Sequence, residues 1–283
     1  MAPAPLDWGT PRPVAGAASV RRSLPVVLVP DAVSELAEGA VISPVWENEV
    51  GGLTFRLDDQ SGDVRYVKWA PAGTPEIDLT AEAERLAWAR RWITVPSVID
   101  QGADEVGAWL VTAAVPGRSA VDPGWLAEPE TAAAAIGRGL RHLHETLPVG
   151  DCPYNWRVEH RLDRARDRLD VGQHLLDRFD PASLPEVANP QVLLSDPPSI
   201  DRLVVCHGDA CAPNTLLHDD GTFAAHVDLD SLGVADRWAD LAVAAWSTEW
   251  NYGPGYEQIV YDSYGIDPDP ERITFYRLIW DLT

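Results

Sequence analysis

Apolar and polar positions alternate along the first part of the chain and recur every three or four residues later on, so sheet is expected first and helix afterwards. Val41 to Trp46, Leu53 to Leu57 and Val64 to Trp69 read as strands, joined by a turn at Gly51-Gly52 and by the polar run Asp58 to Asp63. The segment before them, residues 1–40, is rich in Pro, Ala and Val and reads as an irregular arm with one short helix at Asp31 to Ala37. Leu79 to Trp92 places Leu79, Ala83, Leu86 and Ala87 on one side and Glu82, Glu84, Arg90 and Arg91 elsewhere, which predicts a helix. Val95 to Ile99 and Ala108 to Thr112 are two further strands. Pro116-Gly117-Arg118-Ser119 then breaks the pattern and divides the chain into an N-terminal lobe, 1–115, and a C-terminal lobe, 116–283.

Beyond the break, helices are expected at Ala132 to Glu145, Arg157 to Leu169 and Asp170 to Phe179, followed by a loop-rich stretch from Pro181 to Pro198. Phe223 to Val227 reads as a strand entered through the tight turn Asp219-Asp220-Gly221. Three closing helices follow at Trp238 to Trp250, Tyr256 to Tyr264 and Glu271 to Leu282. Sheet before helix is an α+β arrangement.

Composition narrows what such a molecule does. Among 283 residues, 46% are hydrophobic and twelve are tryptophan, enough for a substantial core. The formal charge of -22, from 44 acidic against 22 basic residues, would repel a nucleic-acid backbone and attract a polycation. No apolar stretch approaches the roughly 20 residues that cross a bilayer, and Met1 to Trp8 lacks the regions of a secretory signal, so a cytoplasmic protein without a membrane partner is expected. Cys152, Cys206 and Cys211 are too few for a disulfide framework, and no second Cys or His pair completes a tetrahedral zinc set beside Cys206-His207. The expected state is a monomer or weak homodimer.

The candidate chemistry lies in His207-Gly208-Asp209-Ala210-Cys211-Ala212-Pro213-Asn214, with Asp228-Leu229-Asp230 after it. In metal-dependent phosphoryl transfer an aspartate takes the acceptor hydroxyl's proton, an asparagine five residues on holds one cation, and an aspartate after a short hairpin holds both. Asp209, Asn214 and Asp228 follow that order, and Pro213 helps turn the loop back so that base and ligand face one cleft. Taken singly, His-Gly-Asp is a common surface turn and Asp-x-Asp a common helix cap. A third element joins them. Lys68 is the chain's single lysine against twenty-one arginines, and it sits in a strand, where a compact ammonium suits nucleotide phosphates. Glu82, on the following helix, is placed to hold that lysine, and the turn Glu47 to Gly52 sits where a phosphate-covering loop belongs, without a full Gly-x-Gly-x-x-Gly.

Together these residues resemble the aminoglycoside phosphotransferases, most closely their 3′ and 3″ branches. The resemblance rests on Val204 to Asn214 and Asp228 to Ala242, supported by Tyr66-Val67-Lys68, Glu82 to Trp88, Leu110 to Gly117, Leu140 to His144, Asp151 to Tyr154 and Phe275 to Leu282. It implies a bilobal protein-kinase-like fold, ATP or GTP between the lobes, two magnesium ions, and phosphorylation of an antibiotic hydroxyl. It also implies that Asp209 is the catalytic base, Asn214 and Asp228 are metal ligands, and Lys68 and Glu82 are the phosphate-holding pair. By the same resemblance, Tyr66 stacks on the base and the backbone from Thr112 to Ala114 reads its edge.

The chain departs from the pattern at two places. Asp228-Leu229-Asp230-Ser231 stands where the 3′ branch has Asp-x-Gly-Arg, and Ala212 stands where some relatives place an aspartate against the drug. Both leave the metal site intact and bear on the acceptor. Asp230 is a candidate for the metals, for a substrate amine or for a helix cap. Glu249, Glu257, Asp281 and the terminal carboxylate of Thr283 are candidate partners for the ammonium groups of a polycationic aminoglycoside. Three functions stay open: an aminoglycoside kinase, a kinase of another hydroxylated antibiotic or metabolite, and a non-catalytic kinase-like binding protein.

Overall fold

The computed structural model describes residues 27–283 apart from residues 49, 75–76, 168, 170–172 and 180. An N-terminal helix, α1 (Asp31–Ala37), leads into an antiparallel sheet of β1 (Val41–Glu47), β2 (Leu53–Asp58), β3 (Val64–Pro71), β4 (Val98–Ala103) and β5 (Gly107–Ala113), in the order β1-β2-β3-β5-β4. The helix α2 (Leu79–Ala89) crosses between β3 and β4, its first turn capped by the Asp78 side chain accepting from Ala81 N. Alternation sorts the two faces of the sheet. Phe55, Leu57, Val67 and Val111 are buried against Val33 and Ala37 of α1, whereas Lys68 points to the opposite side and meets α2.

The rest is mostly helical. The short strand β6 (Arg118–Ser119) and the turn-length α3 (Pro123–Leu126) lead into α4 (Pro129–Thr146) and α5 (Val158–Asp167), then α6 (Pro190–Ser195). Next, β7 (Leu203–Cys206), the hairpin β8 (Thr215–Leu217) and β9 (Phe223–His226), and β10 (Gly233–Asp236) frame the connecting loops, β7 pairing with β10 and β8 with β6 and β9. The helices α7 (Trp238–Tyr252), α8 (Glu257–Tyr264) and α9 (Pro270–Leu282) close the fold. Their core joins Ile136 and Leu140 of α4 to Trp238 and Leu241 of α7, Tyr261 of α8 and Leu278 of α9. A second core is shared across the two parts: Leu86 and Trp88 of α2 pack in one cluster with Leu143, Val205, Leu229 and Leu232. The sheet, α2 and the helical part therefore make an α+β, bilobal, kinase-like architecture.

Several expected boundaries shift. The helix read as Leu79 to Trp92 ends at Ala89, since Trp92 packs on Trp88 from a turn, with ring centroids 4.6 Å apart, and apolar spacing does not distinguish that turn from one more helical turn. The strand read as Val95 to Ile99 begins at Val98 and runs to Ala103, because Pro96 has no N–H to enter a ladder and the edge residues Asp100 and Gln101 are exposed and polar. The helix read as Asp170 to Phe179 is a single 3-10 turn, Leu175–Arg178, in its described part, with residues 170–172 outside the described residues. The stretch from Pro181 to Pro198 contains α6, which Asn189 caps by accepting from Val192 N. Of the N-terminal arm, residues 1–26 lie outside the described residues, and α1 forms where expected.

Candidate active site

Lys68 rises from β3, and both oxygens of Glu82 on α2 lie 2.8 Å from its Nζ. The Lys68 ammonium also donates to Asp228 Oδ1 at 2.5 Å, across 160 residues of chain. Strand, helix and the loop after β9 thus meet at one cation. Asp228 adopts φ +64°, a left-handed conformation unusual for a residue with a side chain, and Val227 N donates to Asn214 O at 3.0 Å just before it. That bond ties the loop carrying Asp228 to the end of the loop carrying Asn214.

The loop His207 to Asn214 is held from several sides. Gly208 has φ +91°, and a Cβ there would stand 2.2 Å from Ser231 O, so only glycine lets the two loops approach. Pro213 lies in a 3-10 turn, Ala212–Asn214, whose carbonyl at Pro213 accepts from Ser119 Oγ at 2.8 Å. Asn214 Nδ2 donates to Asp209 O and Asp209 Oδ2, each at 3.0 Å, which presents the Asp209 carboxylate and the amide side by side. Asp209 Oδ1 is buried and has no hydrogen-bond partner among the described residues. A buried carboxylate oxygen left unpaired is costly, and a cation or a hydroxyl donor there would satisfy it.

Charge is unevenly balanced here. Three carboxylates, Glu82, Asp228 and Asp230, surround the Lys68 ammonium. Burial raises the Glu82 pKa to about 7 against the pull of Lys68, with Asp228 and Asp230 adding to the rise. Burial and the neighbouring Asp228 likewise lift Asp230 to about 6. Burial also works to raise Asp228, but the Lys68 charge outweighs it and holds the carboxyl below its usual range. The Lys68 ammonium loses hydration on burial, yet Asp228 and Glu82 keep it protonated well above its ordinary pKa. Asp228, Asp209 and the amide of Asn214 offer oxygen donors on one wall, and the excess of carboxylate over ammonium favours added cations. That donor set and the unpaired Asp209 oxygen fit hard divalent ions such as magnesium.

Sequence reasoning missed the support beneath this loop. Asp240, fully buried in the first turn of α7, accepts from His207 N at 2.6 Å and Gly208 N at 2.9 Å. His144 Nε2 donates to Asp240 Oδ2 at 2.9 Å, and its Nδ1 lies 3.0 Å from the Tyr264 hydroxyl. Burial pushes the Asp240 pKa upward, but the hydrogen bond and charge of His144 prevail and the carboxylate stays ionised below its usual range. His144, Cys206 and Asp240 lie close enough to hold a metal, but each is engaged otherwise, Cys206 Sγ donating to Asp236 O. The available signal was Asp240 itself, a charge inside the otherwise apolar run Trp238 to Trp246. A second missed residue is Arg85, whose Nε donates to Leu232 O at 3.0 Å while its guanidinium lies over the Tyr154 ring, so α2 is pinned to the loop that follows Asp228.

Tyr66 and Thr112 are direct partners on β3 and β5, and Ala114 N donates to Val64 O at 3.0 Å, so that donor is engaged within the sheet. Glu257 is paired with Arg277 at 2.7 Å. Glu249 is half-buried beside it, its pKa raised by burial and by the Glu257 charge. Asp281 Oδ1 accepts from Ser183 Oγ, and the Thr283 hydroxyl accepts from Arg161. Glu257 and Asp281 therefore have partners of their own within the C-terminal lobe.

Residues 46–276 match the phosphotransferase enzyme family. The chain is 39% identical to an aminoglycoside 3'-phosphotransferase of Streptomyces fradiae, over 82% of this chain and 91% of that protein. It is 35% identical to a streptomycin 3''-kinase of Streptomyces griseus, over 84% and 91% of the two chains. Among solved structures it resembles the aminoglycoside phosphotransferase APH(3'')-Id of Streptomyces rimosus in complex with ADP and streptomycin, with a TM-score of 0.64, 29% identity, and 90% and 99% of the two chains covered.

Proposed function

Because the chain belongs to the phosphotransferase enzyme family, with aminoglycoside phosphotransferases as relatives above 30% identity over most of its length, we propose that it transfers the terminal phosphoryl group of ATP to a hydroxyl of an aminoglycoside. The observation that carries this reading is the Lys68–Asp228 ion pair and the Asn214–Asp209 hydrogen bond on two loops that Val227 N joins by donating to Asn214 O. The N-terminal lobe, 1–115, holds the nucleotide, and the C-terminal lobe, 116–283, holds the acceptor and the base.

Lys68, oriented by Glu82, steadies the phosphates that are not transferred. Asp209 accepts the acceptor hydroxyl's proton as its oxygen bonds to the terminal phosphorus and the bridging oxygen departs with ADP. Asn214 and Asp228 are the magnesium ligands, and bound magnesium would offset charge on the phosphates. Most of the acceleration comes from positioning and electrostatics, because little covalent chemistry falls to the protein. The acidic balance of the chain, -22 in formal charge, suits a polyamine acceptor.

Release of ADP is measured with ATP and magnesium, alone and with streptomycin, kanamycin and neomycin, and the product is located by phosphorus NMR. Stimulation by one or more of these drugs with a sugar-bound phosphate is the expected result. Stimulation only by neutral sugars or amino alcohols would reassign the acceptor, and silence with every acceptor would leave a nucleotide-binding protein without transfer.

A further inference from the structure

Residues paired across neighbouring strands share one face of a sheet. Lys68 pairs with Thr54 on β2 and Leu110 on β5, and Thr54 pairs in turn with Trp46 on β1. The row on the cleft face therefore reads Trp46, Thr54, Lys68, Leu110. A bulge in β1 creates this arrangement. Pro44 pairs with Phe55, which faces α1, and the next paired residue of β1 is Trp46, so Val45 is the extra residue that carries the indole to the Lys68 side.

Trp46 is 39% exposed, on an edge strand where polar residues ordinarily protect the sheet. It belongs to none of the three hydrophobic clusters. The backbone next to it is tied by a side chain. Asn48 Oδ1 accepts from Gly52 N at 2.6 Å and from Val50 N at 3.2 Å, which ties the β1–β2 turn immediately beyond the indole. Two strand spacings, about 10 Å, separate Trp46 from Lys68, with only the small Thr54 between them. That width accommodates a nucleoside whose phosphates reach the ammonium.

Building on the phosphotransferase reading, we infer that Trp46 is a nucleotide-contacting residue whose indole covers the nucleoside while Lys68 holds the phosphates. Stacking on an aromatic face tolerates any base, so the contact serves adenine and guanine nucleotides alike. Its role is positioning: it steadies the donor and leaves the chemistry to the groups below.

The test compares the wild type with Trp46→Ala and Trp46→Phe, using ADP with magnesium as the probe in calorimetry and titrating indole emission in parallel. Trp46→Ala is expected to weaken ADP about tenfold, and GDP similarly, with Trp46→Phe within about twofold of wild type. The nucleotide KM rises with the ADP constant, while the acceptor KM and kcat stay near wild type. Quenching of emission by ADP is smaller in Trp46→Phe than in wild type, a change that a purely structural role would not produce. Equal ADP affinity in Trp46→Ala and wild type, or equal quenching in Trp46→Phe and wild type, overturns the inference. If wild type binds ADP and phosphorylates no aminoglycoside, the acceptor assignment fails while the ADP affinities still decide Trp46.

Discussion

Two carboxylate centres lie on either side of the His207 to Asn214 loop, and they are built on opposite principles. Beneath the loop, Asp240 is fully buried and satisfied, receiving bonds from His207 N, Gly208 N and His144. In the cleft, Glu82, Asp228 and Asp230 crowd one ammonium, and Asp209 Oδ1 has no partner among the described residues. The satisfied centre holds the backbone, and the unsatisfied one presents charge to whatever enters. A buried polar network rigidifies when every member is paired, whereas incomplete pairing leaves free energy that a ligand can recover.

The largest expected effect tests the cleft side. Asp209→Ala should lower turnover by roughly 10²–10⁴-fold, the usual contribution of a positioned base, with ADP affinity close to wild type. Turnover equal to wild type would remove Asp209 from the chemistry. Next comes the other centre. Asp240→Ala leaves the amides of His207 and Gly208 buried without acceptors and should cost about 3–5 kcal/mol, read by urea unfolding. A loss below about 1 kcal/mol would show that the loop needs no such anchor.

Ligand should repair the cleft and not the clamp. ADP with magnesium at 100 times its dissociation constant should stabilise the wild type by about 2.7 kcal/mol, and chelation should abolish most of that gain. Stabilisation by ADP that persists undiminished in chelator would contradict cation binding at Asn214 and Asp228. The smallest effect serves as the reference for both centres: Asp219, 94% exposed opposite Arg118, should change stability by no more than about 0.5 kcal/mol as Asp219→Asn. A larger change there would mean that solvent exposure does not separate these carboxylates.

Legibility follows the range of the interactions involved. The meander was readable because alternation over β2 and β3 is a local consequence of one face being buried, and Phe55, Leu57 and Val67 report it directly. That Asp209, Asn214 and the loop carrying Asp228 come together was readable because their spacing along the chain sets the turn and hairpin that join them. By contrast, β4 was displaced because its edge carries Asp100 and Gln101, which have no burial to declare. His144 and Asp240 are 96 residues apart, and nothing local in either segment names the other. The face presented by Trp46 depends on a bulge, which inverts the side chain without altering composition.

From the order of residues alone came most of the element types, the surplus of acid, the lysine in a strand with a glutamate one helix away, and a candidate base and candidate metal ligands at phosphotransfer spacing. Those properties depend on neighbours within one element or one loop. Which carboxylates became satisfied, which stayed short of partners, and which rings face the cleft were decided only when sheet, α2 and α7 packed together. The physical reason is that desolvation and hydrogen bonding act through space: Asp240 and Asp228 are the same residue type, and only the groups folded around them make one an anchor and the other a site for charge.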